Sequence, residues 1–302
     1  MKIRYFFEAG FLHFVLFIFG MMSPTQASNV GGWLGRNIGS KLSASRKAMR
    51  NLENAMPDLS AAKKDAIIIG MWDNLGRLVA EYPHLEKIAK DHTKIEGLEN
   101  LKPYTDGKRS AIFIGGHFSN FEIPALCAYL QQGLVIDSTY RAPNNPYVHD
   151  MLQKIRSLGN TLKAHAKSQS GGRSLLKAAK GDANIGILID QKYNEGINVA
   201  FMGMDAMTNP AFVQIAQKYG QDIVPMRAVR GQGCNFTFMV DQPMNFSKNE
   251  AVADIILRAH IILEHWVKEN PDQWLWLHRR WDTQVTKTRL ERRAKKRKTE
   301  QK

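Results

Sequence analysis

The chain has 302 residues, 44% hydrophobic and 23% charged, an ordinary composition for a globular protein that excludes wholesale disorder. This length exceeds what one hydrophobic core usually spans, but it does not clearly require two domains. Two cysteines exclude a disulfide scaffold and a multi-cysteine zinc or iron–sulfur site. The unusual value is the net charge of +14, from 42 basic and 28 acidic residues.

The excess positive charge lies at the two ends of the chain. Residues 1–50 contain seven Lys/Arg and one Glu, and residues 287–302 contain nine Lys/Arg and two Glu. The region between them is almost neutral, whereas a nucleic-acid-binding protein usually spreads basic residues over a folded face. The distribution therefore argues against nucleic acid as a partner and favours anionic phospholipid at the termini. A solvated, disordered tail is the alternative for residues 287–302.

A short apolar segment, Ala9–Met22, follows the basic residues Lys2 and Arg4. As a helix it would rise about 21 Å, against roughly 30 Å of bilayer hydrocarbon, which is short for a simple transmembrane span. Two alternatives are open. One is a secretory signal peptide with Thr25–Ala27 as an approximate cleavage site. The other is a retained helix that lies in the membrane interface.

Helical periodicity comes first, and strands then alternate with helices. Ser60 fits the N-cap of a helix over Ala61–Tyr82, which Pro83 ends. The predicted strands are Ala111–Ile114, Leu134–Ile136, Ile185–Ile189, Ile223–Val229 and Phe236–Val240. The predicted helices run from the turn after Ile114 to about Tyr129, over Pro146–Leu158 and Gly172–Ala179, from a cap at Thr208 to Tyr219, and over Glu250–Val267. This alternation predicts an α/β domain, its central sheet covered by helices, with a helical N-terminal extension.

The sharpest chemical feature is the pair His117 and Glu122, which follows the predicted strand Ala111–Ile114. Gly115 and Gly116 permit a tight turn that leaves His117 at the carboxyl end of the strand, where α/β enzymes bind ligands. Glu122 is spaced to reach one imidazole nitrogen while the other faces a substrate. That contact would fix the tautomer and raise the basicity of a general base. The alternative is a histidine packed at a turn and a glutamate favouring a helix N-terminus.

Other kinds of site fit the sequence poorly. The chain has no GxSxG motif, which argues against an ordinary serine hydrolase, and no GxxxxGK[ST] loop for nucleotide phosphates. One His and one Glu without further clustered ligands make a weak metal site. We therefore expect neither a metal nor a cofactor.

The H-x4-E motif of His117–Glu122 is accompanied by further sequence blocks in a specific order. These blocks are Trp72–Arg77, Tyr140–Pro146, Leu188–Lys192, Val199–Gly203 and Pro271–Trp281. Together they resemble the lysophospholipid acyltransferase superfamily, and more specifically its lipid A biosynthesis acyltransferases, the lauroyl/myristoyl transferase family of Gram-negative bacteria. The chain departs from many relatives at Met204 and Asp205, where an aromatic or basic residue is common. The resemblance implies a glycerol-phosphate acyltransferase-like fold with a mixed central sheet.

The resemblance also implies a reaction. An acyl group passes from the thioester of acyl carrier protein to a hydroxyl of a lipid A precursor, a phosphorylated disaccharide that carries Kdo. His117 takes the hydroxyl proton, and Glu122 orients the imidazole and stabilises its charge. The acceptor hydroxyl is itself the nucleophile, so no covalent acyl-enzyme is needed.

Four further residues are expected at the substrate. The family's additional arginine and aspartate correspond to Arg156 and Asp190 here, and a guanidinium suits a phosphate or a Kdo carboxylate. A structural ion pair is the alternative for each. Arg141 and Asn145 either bind substrate or shape a turn, and substrate binding is favoured for Arg141. The Trp274–Trp281 segment is expected to be a buried edge strand or packing element, with Arg279 and Arg280 open to contact lipid phosphate.

The resemblance favours the cytoplasmic face of the inner membrane, because the carrier protein is cytosolic and a cleaved export signal would separate enzyme from donor. We therefore expect a hydrophobic anchor over residues 1–28, an acyltransferase domain over 29–286 and a basic, disordered tail over 287–302. Whether the anchor spans the bilayer or lies in its interface is open. A lysophospholipid or another glycolipid is the alternative acceptor. A non-catalytic membrane or nucleic-acid binder explains the charged ends but not the motif.

Overall fold

The computed structural model describes residues 2–140, 143–159, 161–166 and 169–281, so the basic tail 287–302 lies outside the described residues. The helices within these ranges are α1 (Lys2–Gly20), α2 (Pro24–Asn37), α3 (Ala44–Ala55), α4 (Ala61–Glu81), α5 (Leu85–Asp91), α6 (Leu98–Leu101), α7 (Ile123–Gln132), α8 (Pro146–Arg156), α9 (Gln169–Lys180), α10 (Ala211–Tyr219) and α11 (Val252–Glu269). The strands are β1 (Thr93–Glu96), β2 (Ala111–Gly115), β3 (Ile136–Tyr140), β4 (Ala164–Ala166), β5 (Asn184–Leu188), β6 (Ile197–Phe201), β7 (Met204–Thr208), β8 (Asp222–Arg230) and β9 (Phe236–Val240).

Seven of these strands form one mixed sheet in the order β1-β9-β8-β2-β5-β3-β4. Neighbouring strands run parallel except β8 and β9, which are antiparallel. Strands β6 and β7 form a separate antiparallel hairpin. The predicted α/β fold with a mixed, helix-covered sheet is confirmed.

The central strand β2 explains why the sheet is covered on both faces. All five of its residues are buried. Because side chains alternate along a strand, Ile112 and Ile114 enter one hydrophobic core while Ala111 and Phe113 enter the other. An uninterrupted apolar run of this kind is typical of a strand between two helical layers.

Most predicted elements are present, with shifts at their ends. Ser60 caps α4, its side chain accepting a hydrogen bond from the Lys63 amide. The strand predicted at Leu134–Ile136 begins only at Ile136 and continues through polar residues to Tyr140. Its last three residues are only partly buried, so polar side chains are tolerated there. Thr208 ends β7 instead of capping α10, which begins after Pro210.

The Trp274–Trp281 segment is a packing element and not an edge strand. Its indole rings at positions 274, 276 and 281 are buried, and an isolated antiparallel bridge joins Trp274 to Phe118 in the loop after β2. Arg280 is completely buried and donates hydrogen bonds to the Met207 carbonyl and Thr208 Oγ1. The contact with lipid phosphate that the sequence left open for Arg280 is therefore not possible in this structure, because its side chain is buried.

The first helix, α1, is longer than the apolar run in the sequence suggests. Its 19 residues rise about 28 Å, and Ile3–Gly20 is apolar enough to cross a membrane. Near one end the Tyr5 carbonyl accepts a hydrogen bond from Asn145 Nδ2 (2.8 Å), and near the other the Phe19 carbonyl lies 2.9 Å from His84 Nε2. The helix therefore packs along the domain, while one face stays exposed. The phenylalanines of that exposed face are Phe6, Phe7, Phe11, Phe14 and Phe17, each 62–70% exposed.

Candidate active site

His117 and Asp190 meet at the carboxyl edge of the sheet because β2 and β5 are parallel neighbours in register. Gly115, the last residue of β2, pairs with Leu188, the last residue of β5. The two side chains follow their strands by the same two residues. This is the edge of an α/β sheet at which ligands bind.

The carboxylate of Asp190 holds His117 through both its backbone and its ring. His117 Nδ1 lies 2.7 Å from Asp190 Oδ1, and the His117 amide donates to Oδ2 at 2.7 Å. Trp274 Nε1 also donates to Oδ2, at 2.8 Å. Burial alone would raise the pKa of Asp190, but the charge and hydrogen bonds of His117 outweigh it and hold the pKa well below its usual range. Asp190 is therefore an anion suited to stabilise a proton taken up by His117.

Glu122 forms a different cluster from the one expected. Its Oε1 accepts hydrogen bonds from Arg156 Nε (2.7 Å), Arg156 Nη2 (2.6 Å) and Tyr82 Oη (2.7 Å). Arg156 Nη2 also donates to Tyr82 Oη at 2.7 Å. The predicted contact of Glu122 with the imidazole is thus replaced by Asp190. The reason is topological: strand register brings Asp190 to Nδ1, whereas Glu122, at the start of α7, meets the end of α8.

The charges of this second cluster are mutually compensated. Burial, and then the adjacent Glu122 carboxylate, raise the pKa of Tyr82 well above its ordinary value, so the phenol stays protonated. Burial alone would lower the pKa of Arg156, but Glu122 outweighs it and raises the pKa further. The structural ion pair left open for Arg156 is therefore formed, with Glu122 as its partner.

Both clusters border one cavity of about 230 Å³ beneath the carboxyl edge of the sheet. His117, Glu122, Arg156 and Gln191 contribute polar groups to its lining. Much of the remaining wall is apolar, formed by side chains that include Phe113, Phe121, Leu126, Leu162, Ile187 and Met226. The cavity thus joins a histidine that can accept a proton, a guanidinium and an apolar wall.

Of the two remaining predicted residues, the structure describes Asn145, which lies outside the cavity lining. Asn145 caps α8, its Oδ1 accepting from the amides of Tyr147 and Val148, while its Nδ2 donates to the Tyr5 carbonyl of α1. These contacts match the turn-shaping alternative and not substrate binding. Arg141 lies outside the described residues.

A buried network fixes the loop between β2 and α7. Ser119 has a φ of 47°, a left-handed conformation, and its amide donates to the Gln273 carbonyl at 2.7 Å. Asn74 Nδ2 donates to the Ser119 carbonyl at 3.2 Å. Asn120 Nδ2 donates to Glu81 at 2.9 Å, and Glu81 forms a bidentate ion pair with Arg230. The loop that carries His117 is therefore held by groups from α4, β8 and the segment after α11.

Several of these residues were not singled out from the sequence. Trp274, Gln191 and Asn74 lie inside the sequence blocks that resemble the family, and nothing else in the sequence indicated a role for them. Tyr82 and Arg230 lie outside every block, and their roles emerge only from packing. Over the residues that the structure describes, no group of three or more His, Cys, Asp or Glu is arranged to hold a metal ion.

Comparison with known proteins assigns the chain to a family. The model of the bacterial lipid A biosynthesis acyltransferases matches residues 2–283. A lipid A biosynthesis acyltransferase of Haemophilus influenzae is 24% identical over 267 residues, covering 83% of this chain and 82% of the relative. The palmitoleoyltransferase and the lauroyltransferase of lipid A biosynthesis in Escherichia coli are 26% and 24% identical, each match covering 78% of both chains.

An α/β domain with a histidine and its carboxylate partner over a largely apolar cavity suits acyl transfer to a hydroxyl group. The chain belongs to the bacterial lipid A biosynthesis acyltransferase family, and the protein is an acyltransferase. The family and the names of the relatives support a role in the late acylation of lipid A.

Proposed function

We propose that this protein transfers a fatty acyl chain from acyl carrier protein to a hydroxyl of a lipid A precursor, with His117 as the general base. The observation that carries the proposal is the 2.7 Å pairing of His117 Nδ1 with the buried Asp190 carboxylate. Because Nδ1 donates its hydrogen to Asp190, Nε2 keeps a lone pair on the side of Gln191, another residue of the cavity wall. This is the tautomer that a general base requires.

The reaction follows from that tautomer. Nε2 takes the proton of the acceptor hydroxyl while its oxygen attacks the thioester carbonyl, forming a C–O bond and a tetrahedral oxyanion. The oxyanion collapses, the C–S bond breaks, and the imidazolium returns its proton to the departing thiolate. The products are an ester and the free thiol of the carrier protein. Asp190 stabilises the imidazolium between the two proton transfers.

Glu122 contributes through Arg156 in this proposal. Its carboxylate fixes the guanidinium at the cavity wall, where the remaining N–H groups suit a phosphate or sugar carboxylate of the acceptor. Arg141 remains a predicted acceptor contact. The apolar side chains of the cavity suit the acyl chain, which must lie close to His117 during transfer.

The exposed surface of the N-terminal region supports work at a membrane surface. We propose that this is the cytoplasmic face of the inner membrane, with residues 1–28 as the anchor and 29–286 as the catalytic domain. The phenylalanine face of α1 suits hydrocarbon, and Trp33, on α2, is 55% exposed. Basic residues that follow are exposed as well and suit anionic headgroups; they are Arg36, Lys41, Arg46, Lys47 and Arg50. Stronger sedimentation with anionic than with neutral vesicles is the expected result, and equal sedimentation would contradict it.

The function is tested by supplying purified protein with acyl carrier protein thioesters and a Kdo-bearing lipid A precursor, and by mass spectrometry of the product. His117→Ala should lower kcat by about 10²- to 10⁴-fold, the usual contribution of general base catalysis. An exposed histidine on α11, His265, supplies the control His265→Ala. Transfer to a lysophospholipid but not to the precursor would shift the acceptor assignment, and full activity of His117→Ala would refute the catalytic one. Loss of one acyl group from the lipid A of cells lacking the protein would identify its length and position.

A further inference from the structure

We propose that the side-chain amide of Gln191 is the oxyanion donor of this active site and that His278 holds it in place. The inference rests on the proposed function, because it concerns the tetrahedral oxyanion of acyl transfer. Gln191 follows Asp190 directly in the chain. Its Nε2 lies 3.2 Å from His117 Nε2 and 3.2 Å from His278 Nε2, and the two imidazole centroids are 4.5 Å apart.

The hydrogen-bond chemistry identifies which end of the amide faces the histidines. An amide nitrogen carries two N–H donors, which matches two unprotonated ring nitrogens. An amide oxygen in its place would require a proton on Nε2 of both rings. Because Asp190 already takes the Nδ1 hydrogen of His117, that arrangement would leave His117 charged and unable to act as a base. The donor orientation is the one that agrees with Asp190.

The backbone of the catalytic loop is already engaged elsewhere. Consecutive loop amides are a common oxyanion hole, and three follow Gly116 here. The His117 amide donates to Asp190, the Phe118 amide to the Gly116 carbonyl, and the Ser119 amide to the Gln273 carbonyl. Gln191, in contrast, lines the cavity and has an amide beside the reacting nitrogen.

Arrival of the acceptor releases the donor that the oxyanion needs. The acceptor hydroxyl must come within about 2.6–3.2 Å of His117 Nε2, the place that the Gln191 amide now fills. Displacement by the hydroxyl frees one N–H while the other remains bonded to His278. The freed N–H then lies next to the attacking oxygen. The oxyanion develops on the carbon to which that oxygen bonds, and a hydrogen-bond donor stabilises an oxyanion from about 2.7–3.1 Å away.

The test uses two replacements of Gln191 in the full-length protein. Gln191→Leu removes the N–H groups, and kcat should fall about 10²- to 10³-fold while KM for both substrates changes little. The matched control is Gln214→Leu, on the exposed face of α10, which should keep wild-type kcat. A kcat of Gln191→Leu within about threefold of wild type would overturn the proposal.

A second replacement separates chemistry from structural damage. Gln191→Glu is nearly isosteric but places a carboxylate beside His117 Nε2. A neighbouring negative charge favours the imidazolium, so the acid limb of the pH–rate profile should move to higher pH while the melting temperature stays near wild type. A profile that does not move would show that Gln191 is remote from the base.

His278 is the positioning residue, and it is tested by coupling. His278→Ala leaves the amide without its second anchor and should lower kcat about 10-fold, less than removal of the amide, because positioning alone is lost. In a Gln191→Leu background the same change should have little further effect, since both variants remove one interaction. If the double variant instead lost kcat by the product of the two single-variant losses, the two residues would act independently, and the proposed role of His278 would be refuted. Absence of transfer by the wild-type protein would instead refute the proposed function, so the two failures are distinguishable.

Discussion

Two polar clusters border the cavity, and in each a carboxylate binds a nitrogen-containing side chain, but the two clusters differ in the charge state that they stabilise. In one, the Asp190 carboxylate binds only Nδ1 of the His117 ring, and the other ring nitrogen keeps its lone pair. In the other, Glu122 and Arg156 neutralise each other, and Tyr82 hydrogen-bonds to both. One carboxylate therefore leaves a ring nitrogen that can accept a proton, and the other fixes a positive charge at the cavity wall.

The difference arises from what each carboxylate meets. Asp190 is completely buried against one nitrogen of an imidazole ring whose other nitrogen can accept a proton, so the pair can take up and release that proton. Glu122 meets a guanidinium, which stays charged at any physiological pH. In the proposed function, the first pair acts in proton transfer, and the second fixes a guanidinium where an anionic group of the acceptor would bind.

The largest expected effect comes from Asp190→Asn. The replacement amide can donate to Nδ1 and hold the ring in the tautomer that carries a hydrogen on Nε2, which cannot accept the hydroxyl proton. The same error in serine proteases costs about 10⁴-fold, and we expect kcat to fall about 10³- to 10⁴-fold here. Steady-state kinetics should show this with little change in KM. Asp254→Asn, at an exposed position of α11, is the control; a small loss in Asp190→Asn would remove the contrast between the clusters.

A smaller effect of a different kind is expected from Arg156→Gln. Hydrogen bonds to charged groups contribute about 1.5–3 kcal/mol, so KM for a phosphorylated acceptor should rise about 10- to 100-fold with a smaller change in kcat. The single variant also leaves the Glu122 carboxylate without its ion-pair partner, which should lower the thermal stability. The double variant Glu122→Gln/Arg156→Gln should regain thermal stability but keep the raised KM. If KM stays at its wild-type value, Arg156 serves the structure alone.

The smallest effect is expected from Tyr82→Phe. The change removes a hydroxyl that donates to Glu122 and accepts from Arg156. It should lower the free energy of unfolding by about 1.5–3 kcal/mol, the usual contribution of hydrogen bonds to charged groups, and should leave catalysis almost unchanged. Tyr104→Phe loses a comparable bond, to Asp222, away from the cavity lining and is the matched control. Denaturant titration should give similar losses for both and near-normal kcat. A fall in kcat like that of Asp190→Asn would mean that the second cluster also takes part in proton transfer.

Local sequence pattern was enough to predict the strands that carry the histidine half of the candidate site. The apolar runs of β2 and β5 predicted strands, and His117 and Asp190 each follow the carboxyl end of one of them, the edge of an α/β sheet at which ligands bind. The partner of His117 could not be read in the same way. It depends on the pairing of Gly115 with Leu188 and on the contact of Arg156 with Glu122, which join residues far apart in the chain.

The missed elements share a physical cause. Strands β6 and β7 alternate buried and exposed residues over only five positions each, and polar residues such as Asn198 and Asp205 weaken their apolar signal. β1 lies at the edge of the sheet and carries Lys94 and Glu96 on a four-residue strand. Such short, partly solvated strands are stabilised by neighbours and not by their own composition.

The docking of α1 makes the membrane-facing helix part of the domain's own framework. Leu16 and Phe19 are buried in its cores, and Tyr5 is joined through Asn145 to α8, the helix that ends in Arg156. Removing this helix to obtain a soluble enzyme would expose apolar side chains of the hydrophobic cores to water. It would also remove the hydrogen bond that holds the start of α8. The same attachment has a second consequence for the proposed membrane contact. If the phenylalanines enter the lipid, their depth of insertion would set the distance between the Arg156 guanidinium and the bilayer surface.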